Sequence, residues 1–301
     1  MRIFIFLLIG GVCLLMCNSC STCNRQHKIE EITIDLSDVA IDSSYINIAQ
    51  KVFYALPTPI ELSMLIKSSG IVYQPDLLND PANASKYLTS QKMALNFGVY
   101  ATDLTYAGLF EQSQKVLYYK QAILQLTDGM GLQSAIDPSV MLQLEDNIND
   151  KDAVLRIISD MYASCTASLN EDDRYFLTLS MLVGGWIEGM YIAVGATGEN
   201  QDSVEDRIIQ LVIDQKFTFE LLWQIITELE DIPDVAALKS DLTELARWFE
   251  QIDIHQTPND VTVASDGTTS IASSSNNNVT PEAFAIIKKQ IQTLRQDITK
   301  N

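Results

Sequence analysis

Residues 175–196, YFLTLSMLVGGWIEGMYIAVGA, are the most apolar stretch beyond the N-terminal segment, and their reading decides the fold. Glu188 is the only charged side chain in them, with Gly184, Gly185 and Gly189 beside it. A helix that is apolar on every side is either buried in a protein or spans a membrane. Length alone admits a span, since about 18 apolar residues are the usual cue. Glu188, however, would sit near the bilayer centre at a cost of about 3 kcal/mol or more. Both flanks are acidic (Glu171, Asp172 and Asp173, then Glu199 and Asp202), so no positive-inside asymmetry exists. The stretch therefore reads as a central core helix. Asn170, with Asp173 three residues on, signals its start, and Gly195 and Gly198 signal its stop.

The surrounding chain supplies the helices that such a core needs. Thr58-Pro59-Ile60-Glu61 is a capping box with proline at the first helical position. A long helix is expected from about Ser85 to Gly108, and another carries Val116, Leu117, Ile123 and Leu124. Asp137-Pro138 opens a short helix. Asp150 opens one whose stripe is Val154, Ile158, Met161, Cys165 and Leu169. Beyond the central stretch, Ser203 and Asp206 start a helix with Val204, Ile208, Leu211 and Val212, and a separate one holds Leu221 to Leu229. Pro233 begins a helix carrying Val235, Leu238, Leu242, Leu245 and Phe249. No run alternates with period two. The predicted fold is all-α, a compact bundle of antiparallel helices around a buried central helix, with an irregular α-solenoid as the alternative.

Residues 1–19 have the pattern of a secretory signal: Arg2, then an apolar region from Ile3 to Met16. Ser19-Cys20 then resembles the lipobox of bacterial lipoproteins, which makes Cys20 the lipidated residue, with Cys17 the competing choice. Residues 20–43 read as a tether and 44–254 as the all-α domain. Residues 255–280, rich in Ser, Thr and Asn, read as a linker. The segment 281–301 is an amphipathic helix with Phe284, Ile287, Ile291, Leu294 and Ile298 on one face, a face that wants a partner, an envelope protein among the choices. Its four basic residues outnumber Glu282 and Asp297, in a chain of net charge −19. That overall charge repels phosphate backbones and argues against nucleic-acid binding. The expected address is the cell envelope, anchored by lipid and facing the periplasm.

His27 and His255 both lie outside the helical domain, so zinc sites and histidine-based triads lack their parts, and no metal or cofactor is expected. The candidate ligand-binding residues are Glu188, Tyr191, Trp186, Ser180, Tyr100 and Asp103. Glu188 must be paired, hydrogen-bonded or protonated, because a lone buried carboxylate is very costly. It is expected either to meet an Arg or Tyr of a neighbouring helix or to wall a pocket where glycines leave room. A small-residue seam (Ala94, Gly98, Ala101, Thr105, Gly108) is set to meet Gly185 and Gly189. A helical wheel puts Asn96, Tyr100 and Asp103 nearly opposite that seam, as a solvated face or a ligand-facing strip. NFGVYATDLTY (96–106) and GGWIEGMY (184–191) resemble motifs of uncharacterised, all-helical Bacteroidota-type lipoproteins, a resemblance that implies no activity. The function expected is a lipid-anchored helical binding or scaffold module. The alternative is a hydrolase with Asp103 and Glu188 as its acid–base pair.

Overall fold

A computed structural model of the chain describes residues 57–196, 202–252 and 279–300, with four short strands between 254 and 277. The signal, Cys20 and the tether lie outside the described residues. Nine α-helices are described: α1 (Pro59–Ser68), α2 (Ser90–Leu109), α3 (Ser113–Gly129), α4 (Pro138–Asp146), α5 (Lys151–Glu171), α6 (Tyr175–Gly195), α7 (Asp202–Glu228), α8 (Pro233–Glu250) and α9 (Pro281–Thr299). The all-α bundle is what the periodicity predicted.

Local chemistry accounts for most helix starts. The capping box closes as read: Glu61 N donates to Thr58 Oγ1 at 3.2 Å and Thr58 N to the Glu61 carboxylate at 2.8 Å. The side chains of Asp137, Asp150 and Thr280 cap α4, α5 and α9 by accepting from the backbone N–H of Ser139, Ala153 and Ala283. Three boundaries differ from the reading. The helix expected from Ser85 is a 3₁₀ turn, Pro81–Lys86, followed by α2, because Thr89 caps the chain afresh at Lys92 N. Asn170 lies in the last turn of α5, and its side chain accepts from Thr178 Oγ1 at 2.9 Å. Asp173 makes the turn with φ +57°. The two helices expected over 203–229 are one, α7, since no breaker interrupts it.

Between α8 and α9 the chain forms two nested antiparallel pairs that the sequence did not announce. β1 (Ile254–Gln256) pairs with β4 (Ser275–Asn277), and β2 (Asp260–Val263) with β3 (Thr269–Ala272). Asn277 thus stands opposite Ile254, so the excursion returns the chain to its starting point before α9.

The centre is α6, packed against α1, α2, α5, α7, α8 and α9. It is the one described helix long and apolar enough to cross a membrane, yet 94% of its apolar window is buried in the body. Its closest partner is α2, and glycines set that approach. A Cβ on Gly184 would lie 1.9 Å from Leu95 O, and one on Gly98 would lie 2.0 Å from Met181 O. The small seam of α2 is divided between two helices: Gly98 meets α6, whereas Gly108 meets Val154 and Ile158 of α5. Gly189 meets Leu62 of α1. The expected meeting of the seam with Gly185 and Gly189 therefore holds for Gly185, which faces Gly98, and fails for Gly189, and the face of α2 opposite the seam is not solvated. Asn96, Tyr100 and Asp103 are all fully buried.

The apolar face of α9 is covered by the chain itself. Phe284, Ile287, Ile291, Leu294 and Ile298 are buried, and the helix lies on α6, α8 and α2.

Candidate functional site

Glu188 has no solvent exposure, and its carboxylate is taken by one cation from the far end of the chain. Arg295 of α9 donates from Nε to Oε2 at 2.9 Å and from Nη2 to Oε1 at 3.2 Å. The same Nη2 reaches Leu77 O at 3.4 Å, and the guanidinium lies over the Tyr191 ring, 4.6 Å from its centroid. A planar fork on a carboxylate, backed by an aromatic face, is the geometry that arginine supplies and lysine does not. Next to this pair lies Asp103 of α2, also fully buried.

The two carboxyls, Asp103 and Glu188, come within hydrogen-bonding reach of each other. Asp103 Oδ2 accepts from the backbone N–H of Asn79 at 3.1 Å, and Oδ1 finds no donor elsewhere. Two acceptors can face each other in a dry interior only with a proton between them. Burial first, and then the charge of Glu188, push the Asp103 carboxyl well above the usual range. Burial pushes Glu188 upward too, but the Arg295 guanidinium opposes it directly. The proton therefore rests on Asp103. With Arg295 positive, Glu188 negative and Asp103 neutral, the cluster carries no net charge, the arrangement that burial tolerates best.

Phenols line the remaining side. Tyr100 OH donates to Asp80 O at 2.9 Å and Tyr87 OH to Thr299 O at 3.2 Å, while Asn79 Nδ2 donates to Tyr87 OH at 3.0 Å. The Tyr73 hydroxyl is buried without a hydrogen-bond partner. Its pKa is pushed up to about 12, by burial first and then by Tyr106 and Asp103. Burial and the nearby Asp103 also raise Tyr119.

Of the six candidates, the structure brings together Glu188, Tyr191, Asp103 and, through the turn at Asp80, Tyr100. It does not bring in Trp186 or Ser180. Trp186 Nε1 donates to Gln215 Oε1 at 3.1 Å, and its ring packs on Phe219 and Phe249. Ser180 Oγ donates to Phe176 O of its own helix at 2.8 Å. Arg295, Asn79 and Tyr73 were not singled out in advance. Arg295 was within reach: four residues after Ile291 and three before Ile298, it falls inside the apolar face of α9. A cation there needs a buried counter-charge.

No family model, curated protein or solved structure matches the chain. Among the described residues no group of three His, Cys, Asp or Glu side chains could hold a metal ion. The three described pockets, of about 110, 180 and 230 Å³, lie elsewhere, and neither Glu188 nor Asp103 lines any of them.

Proposed function

We propose that this chain is a lipid-anchored binding or scaffold module of the bacterial cell envelope, facing the periplasm, whose helical body is held off the membrane by the tether 20–43. One observation supports the non-enzymatic reading above all: the carboxyls best suited to acid–base chemistry are sealed. Asp103 and Glu188 are both fully buried, and Arg295 already occupies Glu188 with two hydrogen bonds. A general acid or base must come within hydrogen-bond reach of a substrate proton, and α9 stands in the way. The anchor reading rests on the apolar segment 3–16 and on Ser19-Cys20. Growth with labelled palmitate tests it: wild type takes up label and Cys20→Ala does not. Unchanged label in Cys20→Ala moves the attachment to Cys17, and absence of label in both chains refutes the anchor.

A second reading has one observation in its favour, the adjacency of Asp103 and Glu188. It is a hydrolase whose paired carboxyls act once α9 is lifted. Glycosidases and esterases of simple chromogenic substrates would be the first assay, comparing wild type with Arg295→Ala. Activity that appears only in Arg295→Ala and disappears with Asp103→Asn would favour it.

A further inference from the structure

The end of α9 sits in a built socket. The last turn of a helix leaves its carbonyls without intrahelical donors, and here the body provides them. Asn96 Nδ2 donates to Ile298 O at 3.0 Å and Tyr87 OH to Thr299 O at 3.2 Å. Lys92 Nζ donates to Asp297 O at 3.0 Å and to Lys300 O at 2.7 Å. One turn earlier Arg295 enters the core. The seat of α9 therefore depends on the Asp103–Glu188 pair, and that pair has three possible proton counts. With one proton the cluster is neutral. With none, two carboxylates face each other beside a single guanidinium. With two, Arg295 is buried without a counter-charge. Each off-balance state is costly in a dry interior and is relieved when water enters. Among the described residues, the element that closes the site and brings a cation to it is α9, tethered through short strand pairs that are marginal by themselves.

We propose that the single proton shared by Asp103 and Glu188 is a latch: α9 is seated while that proton is held and is released when it is lost. The groups around the pair come from each neighbouring element. They are Tyr73 and Asn79 from the segment ahead of α2, Tyr87 and Tyr100 around the start of α2, Tyr119 from α3, Tyr191 from α6 and Arg295 from α9. All the phenols whose shift is resolved here are pushed upward, so they stay neutral while the carboxyls titrate. A further charged group lies at the end of α9, where Asp241 feels Asp297 and Lys92. It lines the same pocket as Lys92, Asp297 and Ile298 and is common to every variant below.

The sign follows from the proton count. Seated α9 binds the shared proton and the released state, with its carboxyls in water, does not, so seating weakens as pH rises through the point where Asp103 ionises. Hydrogen exchange on the full chain reads this directly, as protection factors for amides 285–299 after correction for intrinsic rates, with α5 and α6 amides as the internal reference. The expected profile falls on its alkaline limb by about tenfold per pH unit for one proton lost, while the α6 reference holds. Asp103→Asn keeps a donor facing Glu188 and cannot ionise, so it should abolish the alkaline limb. Glu188→Gln, with Asp103 ionised as the partner of Arg295, should do the same should Asp103→Asn fail to fold. Infrared spectra should show a protonated-carboxyl band in wild type, at pH values where α9 is protected, that is lost in Asp103→Asn. Flat α9 protection from acid to alkaline pH in wild type, or an alkaline limb that persists in Asp103→Asn or Glu188→Gln, overturns the latch.

Discussion

Arg295 of the last helix and Glu188 of the central helix, 107 residues apart in the chain, form a two-point ion pair whose carboxylate has no contact with solvent. A buried pair of this kind is not a large source of stability, because removing both charges from water costs nearly what their attraction returns. It is a large source of specificity. It admits one register of α9 on α6, since a slip by one residue carries the guanidinium away from its acceptor and leaves both charges stranded.

Removing the cation should therefore be costly, and more so at high pH. Arg295→Met keeps the apolar stem and deletes the charge. Both carboxyls must then be protonated to remain buried, so the folded state holds two protons where the unfolded chain, above the usual carboxyl range, holds none. Stability should fall as pH rises, more steeply than in wild type. A loss of about 3–5 kcal/mol is expected near neutrality, and a clearly smaller one near pH 5. Urea unfolding at the two pH values measures it, and a pH-independent loss would contradict the shared-proton account.

The two carboxyls should substitute for one another. Asp103→Asn leaves Glu188 to hold Arg295, and the new amide can donate where the proton did. Glu188→Gln leaves Asp103 to ionise in its place, since Arg295 already favours the charged form of Asp103. Each single change is expected to cost about 1–2 kcal/mol, the scale of one imperfect buried hydrogen bond. The double change leaves Arg295 without a counter-charge and should cost far more than the sum. Additive values in a double-mutant cycle would show that only one carboxyl ever serves the arginine.

Much of this fold was legible in advance, and the limits have physical causes. The stripe Val154, Ile158, Met161, Cys165 and Leu169 is buried throughout, as its spacing required. Glu188 declared itself by being the lone charge in an apolar helix. Its partner could not be named because pairing over 107 residues leaves no local signature, although the place of Arg295 within an apolar face was a clue. Asp103 was set on the wrong side by a wheel argument that assumed a single partner for the small seam. Two helices share that seam, so α2 has no solvated face, and a polar stripe on such a helix is the mark of a buried network. The strand pairs at 254–277 were missed because each strand is only three or four residues long: Asp260-Val261-Thr262-Val263 alternates, but too briefly to stand out in a stretch rich in Ser, Thr and Asn.

The socket for α9 should be sensitive to the direction of one hydrogen bond. Asn96 Nδ2 donates both to Lys92 O and to Ile298 O, at 2.9 and 3.0 Å. Asn96→Ala removes the donor and should cost about 1–3 kcal/mol for the carbonyls left dry. Asn96→Asp is nearly isosteric but turns an acceptor, and at neutral pH a charge, toward two carbonyl oxygens. It should be the worse variant, and acid should bring it back toward Asn96→Ala as the new carboxyl gains a proton and a donor. Thermal melts of the two variants at pH 5 and pH 8 test the order.

The glycine crossing gives the strictest test of the fold. A methyl group on Gly184 would meet Leu95 O at 1.9 Å and Leu95 C at 2.7 Å, and one on Gly98 would meet Met181 O at 2.0 Å and Gly185 N at 2.5 Å. These are backbone atoms of rigid helices, so neither can rotate aside, and α2 and α6 must separate. Separation also draws Asp103 away from Glu188, since they sit on the same two helices. Gly195→Ala is the contrast: its new methyl would meet Leu77 Cδ2 at 2.7 Å, the far end of a side chain that can turn. Gly98→Ala and Gly184→Ala are each expected to cost about 3 kcal/mol or more, the upper range for overpacking a core. Gly195→Ala should cost about 1 kcal/mol or less, since alanine also favours the helix over glycine. Chemical denaturation of the three variants ranks them, and near-equal losses would mean that α2 and α6 do not cross at these glycines.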